Sequence, residues 1–283
     1  MGALTEQVQT DIEKANASGL TPVVFVHGLW LLPSSWDRWR ALFEAEGYAT
    51  IAPGWPDDPD TVEEARAHPE VFAKKGLDVI TANYMAAIEK LKLQPVVIGH
   101  SFGGVIAQML AGNGLSRATV AIDPAQFRGV LPLPLSQLKS GAPVLGNPTN
   151  YGKAVTLTFE QFNYGWTNAL DEVEARELYE TYHVAGSGVP LFQAAAANFN
   201  PWSEDSVDTK NPDRGPLLFI SGLEDHTVPW AVASAAFEIQ AKNPGLTQIV
   251  AIEGRGHSLI IDHGWKDVAD EALYFVNENA GDD

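Results

Sequence analysis

Short runs of apolar, mostly β-branched residues alternate along this chain with longer stretches in which apolar residues recur every three or four positions. The runs are Val23 to Val26, Ala49 to Ile51, Pro95 to Ile98, Ala118 to Ile122, Leu217 to Ile220 and Ile249 to Ile252. A strand covered on both faces loses the polar alternation of a half-exposed one, so these runs predict buried strands of a parallel sheet. Between them, Gly76 to Leu91 places Leu77, Ile80, Tyr84, Ile88 and Leu91 on one helical face. Phe102 to Ala111 and Trp230 to Ala241 read as two further helices. Strand, helix and strand in repetition imply right-handed crossovers and an α/β fold with a mostly parallel sheet.

The alternation breaks after Asp123. From Gln126 to about Arg214 no strong strand signal appears. A proline-rich stretch with Pro132, Pro134, Pro143 and Pro148 comes first. Helical patterns follow near Thr158 to Asn168, Asp171 to Tyr182 and Ser187 to Asn198. Asp171 is placed to cap the second of these, with Glu172 and Glu174 in its first turn. The chain thus divides into a core, 1–125 and 214–283, and a helical cap, 126–213.

Composition narrows the chemistry. The chain has 283 residues, of which 45% are hydrophobic, enough for a sizeable core. It has no cysteine, which rules out disulfides, thiolate metal sites and a cysteine nucleophile. The formal net charge of -18 repels nucleic acid and anionic lipid, so neither a nucleic acid nor a membrane is expected as partner. Residues 1–20 carry Glu6, Asp11 and Glu13 and no basic start followed by an apolar run, so no signal peptide is expected. No apolar run is long enough to span a bilayer. The expectation is a soluble, cytoplasmic protein.

Four sites carry candidate chemistry, each just after an apolar run. The strongest is Gly99-His100-Ser101-Phe102-Gly103-Gly104, between a strand and a helix, the context a nucleophile elbow needs. Small residues two before and two after the serine avoid clashes in the sharp turn, and the helix N-terminus favours developing negative charge. The bland alternative is a glycine-rich turn with an incidental serine. The second site is His27-Gly28-Leu29-Trp30. Its Leu29 N–H, with the Phe102 N–H, is a candidate pair of oxyanion donors, while the His27 side chain is expected to hold its own loop. In the third, Ser221 to Pro229, Asp225 is the carboxylate placed to orient an imidazole; His226 reads as a loop histidine. The fourth, Gly254-Arg255-Gly256-His257-Ser258, offers His257 as the base. Any one histidine is more often merely solvated, but the chain order Ser101, Asp225, His257 is the order this chemistry uses.

On these residues the sequence resembles the α/β-hydrolase superfamily over roughly 21–125 and 214–280; the cap is unmatched. The resemblance implies a triad of Ser101, Asp225 and His257, an oxyanion hole from Leu29 and Phe102, and no cofactor or metal. Many members begin with an antiparallel strand pair. Residues 1–20 are too short and too polar for it, so a sheet of about six strands is expected. Asp123 also ends a strand, where some relatives carry the triad acid; Asp225 is preferred.

The function implied is a carboxylesterase-like serine hydrolase acting on a small-molecule acyl substrate. Carbon–carbon hydrolysis, lactone cleavage or cofactor-free perhydrolysis on the same triad, and a ligand-binding protein of low turnover, are the alternatives. A serine at 101 argues against the alkyl-ester chemistry of relatives with aspartate there. Among the cap aromatics Phe159, Phe162, Tyr164, Trp166, Tyr179, Tyr182, Phe192, Phe199 and Trp202, most are expected to form the cap's own core and some to line an apolar pocket. Trp30 and Trp36 read as packing residues.

Overall fold

A computed structural model describes residues 4–280. After helix α1 (Glu6–Ser18), strand β1 (Pro22–Val26) leads through α2 (Asp37–Ala45) to β2 (Ala49–Ile51). Helices α3 (Val62–Ala67) and α4 (Leu77–Ile88) return the chain to β3 (Val96–His100), followed by α5 (Phe102–Gly112) and β4 (Ala118–Ile122). An insert then holds α6 (Leu135–Leu145), β5 (Ala154–Val155), α7 (Phe159–Gly165), α8 (Glu172–Tyr182), β6 (Gly186–Ser187) and α9 (Val189–Ala196). The core resumes with β7 (Leu217–Gly222), α10 (Trp230–Gln240), β8 (Thr247–Ile252) and α11 (Trp265–Asn279).

The main sheet has six strands, all parallel, in the order β2-β1-β3-β4-β7-β8. Every residue of β1, β3, β4 and β7 is buried, as unbroken apolar runs require when helices cover both faces. The edge strand β8 is only partly covered. Strand order reverses between β1 and β3, which opens a crevice at the carboxyl ends of these two strands. Val26 lies in register with Gly99, and His100 with Ile122, so the loops leaving β1, β3 and β4 emerge side by side. The core beneath is aromatic: Phe25 packs on Trp36, Trp39 and Phe43 with ring centroids 5.1, 6.5 and 5.6 Å apart. Trp36 is therefore a packing residue. No helix among the described residues is long and apolar enough to cross a membrane.

The structure differs from the sequence pattern in three places. The N-terminal segment is a helix, capped by the Thr5 side chain, which buries Val8, Asp11, Ile12 and Ala15 along one stripe. Its other positions are polar, which hid the stripe. The insert contains a short antiparallel pair, β5 with β6, where no strand was expected. Two residues per strand are too few to show a period, and the pairing joins Ala154 to Ser187 and Val155 to Gly186, positions far apart along the chain. The proline-rich stretch contains α6 with Pro143 inside it. Proline near a helix end removes only one backbone bond, so the helix survives a residue that usually signals a break.

Inside the insert, His183 is buried, stacks on Tyr179 at 4.7 Å and accepts from the Leu157 N–H through Nε2 at 3.4 Å. Burial, then the nearby Arg66 charge, lowers its pKa from 6.5 to about 3. The unfolded chain takes up a proton here near pH 6.5 that the folded protein refuses until about pH 3. The contribution of His183 to stability is therefore complete above pH 6.5 and is lost as pH falls toward 3. His183→Gln, which keeps an acceptor but does not titrate, should be less stable than the parent at neutral pH. That gap should shrink as pH is lowered toward 4. Denaturant unfolding of both proteins across this range is the measurement; a gap that stays constant would show that His183 titrates normally.

Candidate active site

Ser101 sits at the sharp turn between β3 and α5 with φ 57° and ψ -122°, a backbone shape that only a well-supported non-glycine residue adopts. The support is close packing. A Cβ added at Gly99 would lie 2.0 Å from the Gly103 carbonyl oxygen, and one at Gly103 would lie 2.1 Å from the Val26 carbonyl oxygen. Both positions demand glycine because backbone meets backbone there. Ser101 itself is bonded across to the neighbouring strand, its N–H donating to the Ile122 carbonyl at 3.0 Å.

Three side chains distant in sequence meet at this turn. His257 Nε2 lies 3.0 Å from Ser101 Oγ, and His257 Nδ1 lies 2.6 Å from Asp225 Oδ2. Asp225 sits in the turn after β7, where its Oδ1 accepts from the Thr227 and Val228 N–H groups at 2.6 and 2.8 Å. A carboxylate held by two backbone donors cannot swing away, so it fixes the imidazole with Nδ1 as the protonated nitrogen and Nε2 as the acceptor. All three groups are buried.

The loop after β1 approaches the same point. A Cβ at Gly28 would be 2.8 Å from Ser101 Cβ. The next residue, Leu29, and Phe102 at the start of α5 both have backbone N–H groups with no acceptor among the described residues. The His27 ring faces away: Nδ1 bonds the Gly28 carbonyl at 2.9 Å, Nε2 is 3.1 Å from Asp58 Oδ2, and the ring stacks on Trp55. Asp58 also meets the buried Lys75 at 3.3 Å. His27 thus anchors its loop, through an acid and a lysine that no local sequence signal marked. His226 Nδ1 bonds the Tyr164 carbonyl at 2.9 Å instead of reaching the serine.

Two further buried groups flank the imidazole. His100 donates from Nε2 to the His257 carbonyl at 2.9 Å. Burial first, then the His257 charge, holds its pKa well below the usual histidine range, so it is a neutral prop. Asp123, at a strained φ of 38°, is fully buried and its Oδ1 accepts from the Gly222 N–H at 2.9 Å. Burial first, then the Asp225 charge, pushes the Asp123 carboxyl well above the usual range. Burial thus disfavours the charged form of Asp123, and the imidazole bonds Asp225 instead. His100, Asp123 and His257 place one ligand atom each within 4.8 Å of one another, the single grouping of this kind among the described residues. Both ring nitrogens of His257 are already committed, however, so this grouping offers a metal at most two free ligands.

A cavity of about 430 Å³ opens onto Ser101. Its lining includes Trp30, Phe102, Val130, Leu138, Leu191 and Val228, and no charged residue borders it. Of the insert aromatics only Phe199 lines it. Phe162, Trp166, Phe159 and Tyr179 pack on one another instead, as Phe162 on Trp166 at 5.5 Å shows. Trp30, read as a packing residue, is part of the cavity wall while its Nε1 donates to the Val155 carbonyl at 3.0 Å. A second cavity of about 380 Å³, bordered by Asp11, Arg40, Trp55 and Asp58, contains none of the three convergent side chains.

The insert is stitched to these loops by the end of α7. The Tyr164, Gly165 and Trp166 carbonyls accept from His226 Nδ1, Thr227 Oγ1 and the Ser258 N–H at 2.9, 2.7 and 3.1 Å. These are carbonyls a helix end leaves without intrahelical partners. The Trp166 ring also meets His257 edge-on at 4.6 Å. Sequence reasoning missed these contacts, because backbone acceptors carry no residue signature.

Residues 23–271 match the model of the alpha/beta hydrolase family. Solved structures with a similar fold include the Paleococcus ferrophilus monoacylglycerol lipase, at 20% identity and TM-score 0.62 over 90% of this chain and 93% of that one. A pyrethroid hydrolase from Sphingobium faniae JZ-2 aligns at 18% identity and TM-score 0.59 over 91% and 97% of the two chains. An extracellular alpha/beta-hydrolase from a Paenibacillus species aligns at 18% identity and TM-score 0.63 over 90% and 98%.

The two acids should separate on substitution. Burial already disfavours charge on Asp123, and Asp123→Asn keeps the acceptor for Gly222, so turnover should stay within about tenfold of the parent. Asp225→Asn should cost roughly 10³–10⁴ in kcat, because the imidazole is then offered the wrong tautomer. Steady-state rates decide it: loss of turnover in Asp123→Asn but not in Asp225→Asn would reverse the assignment.

Proposed function

The chain belongs to the alpha/beta hydrolase family, and from that premise we propose that it is a serine hydrolase cleaving a carboxylic ester, or a related acyl bond, of a small to medium and mainly apolar substrate. Ser101 is the nucleophile in this reading. As its oxygen closes on the acyl carbon, its proton passes to His257 Nε2, 3.0 Å away. The carbonyl electron pair moves onto oxygen, giving a tetrahedral oxyanion. The Leu29 and Phe102 amides hold that oxyanion; one such donor is worth about 10²–10³ in kcat. The imidazolium then protonates the leaving alkoxide as its bond to carbon breaks, and the acyl group remains on Ser101. Water repeats the sequence: His257 takes its proton, the hydroxide adds to the acyl carbon, and Ser101 leaves with the proton returned. Asp225 stays ionised and stabilises the imidazolium in both halves.

The observation that carries the proposal is the unbroken chain from Asp225 Oδ2 to His257 to Ser101 Oγ, with spacings of 2.6 and 3.0 Å, beside two amides without an acceptor among the described residues. The uncharged cavity favours an apolar acyl or alcohol group. Structural neighbours named as a monoacylglycerol lipase and a pyrethroid hydrolase point in the same direction, toward hydrolysis. The insert acts as a cap over the cavity in this scheme.

A chain-length series of nitrophenyl esters run beside Ser101→Ala tests the proposal. The parent should turn over the series, with kcat falling about 10⁶-fold in the variant. A fluorophosphonate probe should label the parent and leave Ser101→Ala unlabelled. Equal labelling of the two would remove Ser101 from the mechanism.

A further inference from the structure

The loop that carries the Leu29 amide is held at both ends. Ahead of Leu29, His27 Nε2 meets Asp58 Oδ2 at 3.1 Å, and Asp58 Oδ1 meets Lys75 Nζ at 3.3 Å. After it comes Trp30, whose φ of 64° lies in the left-handed region. A bulky residue keeps that shape only where its surroundings impose it. Here the surroundings are the β5–β6 ribbon of the insert. The Trp30 carbonyl accepts from the Val184 N–H, just ahead of β6, at 3.0 Å, and the indole Nε1 donates to the Val155 carbonyl of β5 at 3.0 Å. Gly186, paired with Val155 across the ribbon, makes room for the ring: a Cβ there would lie 3.1 Å from Trp30 Nε1 and from Leu29 Cδ2.

The two holds belong to one circuit. Ser187, the next residue of β6, accepts through Oγ from the Lys75 N–H at 3.2 Å. The path runs from His27 through Asp58 and Lys75 to Ser187, along the ribbon, and back through Trp30 to the loop. Every side chain on it is buried. Breaking a buried link strands its partner without a hydrogen bond, so each link resists displacement.

We propose that Trp30 is a positioning residue: its bond to β5 sets the aim of the Leu29 N–H, so the insert completes the oxyanion hole as well as covering the cavity. A donor aimed at a charge that exists only in the tetrahedral state acts on kcat and leaves substrate binding alone. The effect on turnover rests on the serine-hydrolase reading; the anchoring of the loop by the insert does not.

Two variants attack the link from opposite sides. Trp30→Phe keeps an aromatic wall and removes the indole N–H. Gly186→Ala crowds Trp30 and Leu29 from the insert and lies outside the cavity lining. On a nitrophenyl ester each should lower kcat about tenfold, part of the roughly 10²–10³ that losing a donor outright costs, with KM within about twofold of the parent. Affinity for an aryl trifluoromethyl ketone, which adds to the serine as a tetrahedral adduct, should fall by the same factor as kcat. Because both variants act through one link, the double variant should lose much less than the product of the two. Amide hydrogen exchange of residues 27–32 should quicken in both, while exchange in β3 and β4 keeps the parent's rate. If Gly186→Ala does not fold, Trp30→Phe decides alone. A Trp30→Phe that raises KM with kcat unchanged makes the ring a substrate contact only and overturns the proposal. So does exchange of 27–32 at the parent's rate. A parent that neither binds the ketone nor labels with the fluorophosphonate removes the serine-hydrolase reading and the turnover effect with it, and the exchange result still decides whether the insert holds the loop.

Discussion

The contact on which the rest of the site depends is the backbone crossing of α5 over β1 and β3. Gly99 and Gly103 let the helix start against the strands at a distance no side chain permits. That approach forces Ser101 into its strained turn, lifts its Oγ above the sheet, and brings the loop of Gly28 and Leu29 against it. Strain of this kind costs of order 1–3 kcal/mol and persists only because the packed surroundings allow no other path. Here the surroundings are six parallel strands whose central members are wholly buried, and α5, of which every residue is buried. The rigidity of the core is what places the Ser101 hydroxyl.

Asp225 and His257 are held by a different device. Both lie in loops after β7 and β8, and loops by themselves would hold a 2.6 Å hydrogen bond poorly. The structure fixes them from outside the sheet, through the last carbonyls of α7 in the insert. One short helix end therefore satisfies its own orphan acceptors and locks the two loops that carry Asp225 and His257. The insert also supplies much of the cavity wall, so the element that borders the cavity also steadies the two loops.

Burial sorts the titratable groups around His257 into unequal roles. Three acids and bases in so small a dry volume cannot all be charged. Asp225 is the member held by two backbone donors. Asp123 and His100 are kept neutral and act as packing and hydrogen-bonding groups. The imidazole is left with two partners, Asp225 on one side and Ser101 on the other.

Six apolar runs at 23–26, 49–51, 95–98, 118–122, 217–220 and 249–252 determined the sheet, because a strand buried on both faces writes its position into consecutive residues. The Gly99 to Gly104 motif likewise marked its turn, since steric close approach selects glycine at particular positions. Helix α1, the β5–β6 pair and α6 were not legible: their stabilising partners are remote, and a mostly polar helix or a two-residue strand has no period of its own to read. Nor could the chain alone separate the surroundings of Asp123 and Asp225, as both end a strand and both are aspartate. Only the fold gives Asp225 two backbone donors and the imidazole, and Asp123 a dry pocket that disfavours its charged form. The residue type is local information; the solvation and the partners that settle its charge exist only where distant segments meet.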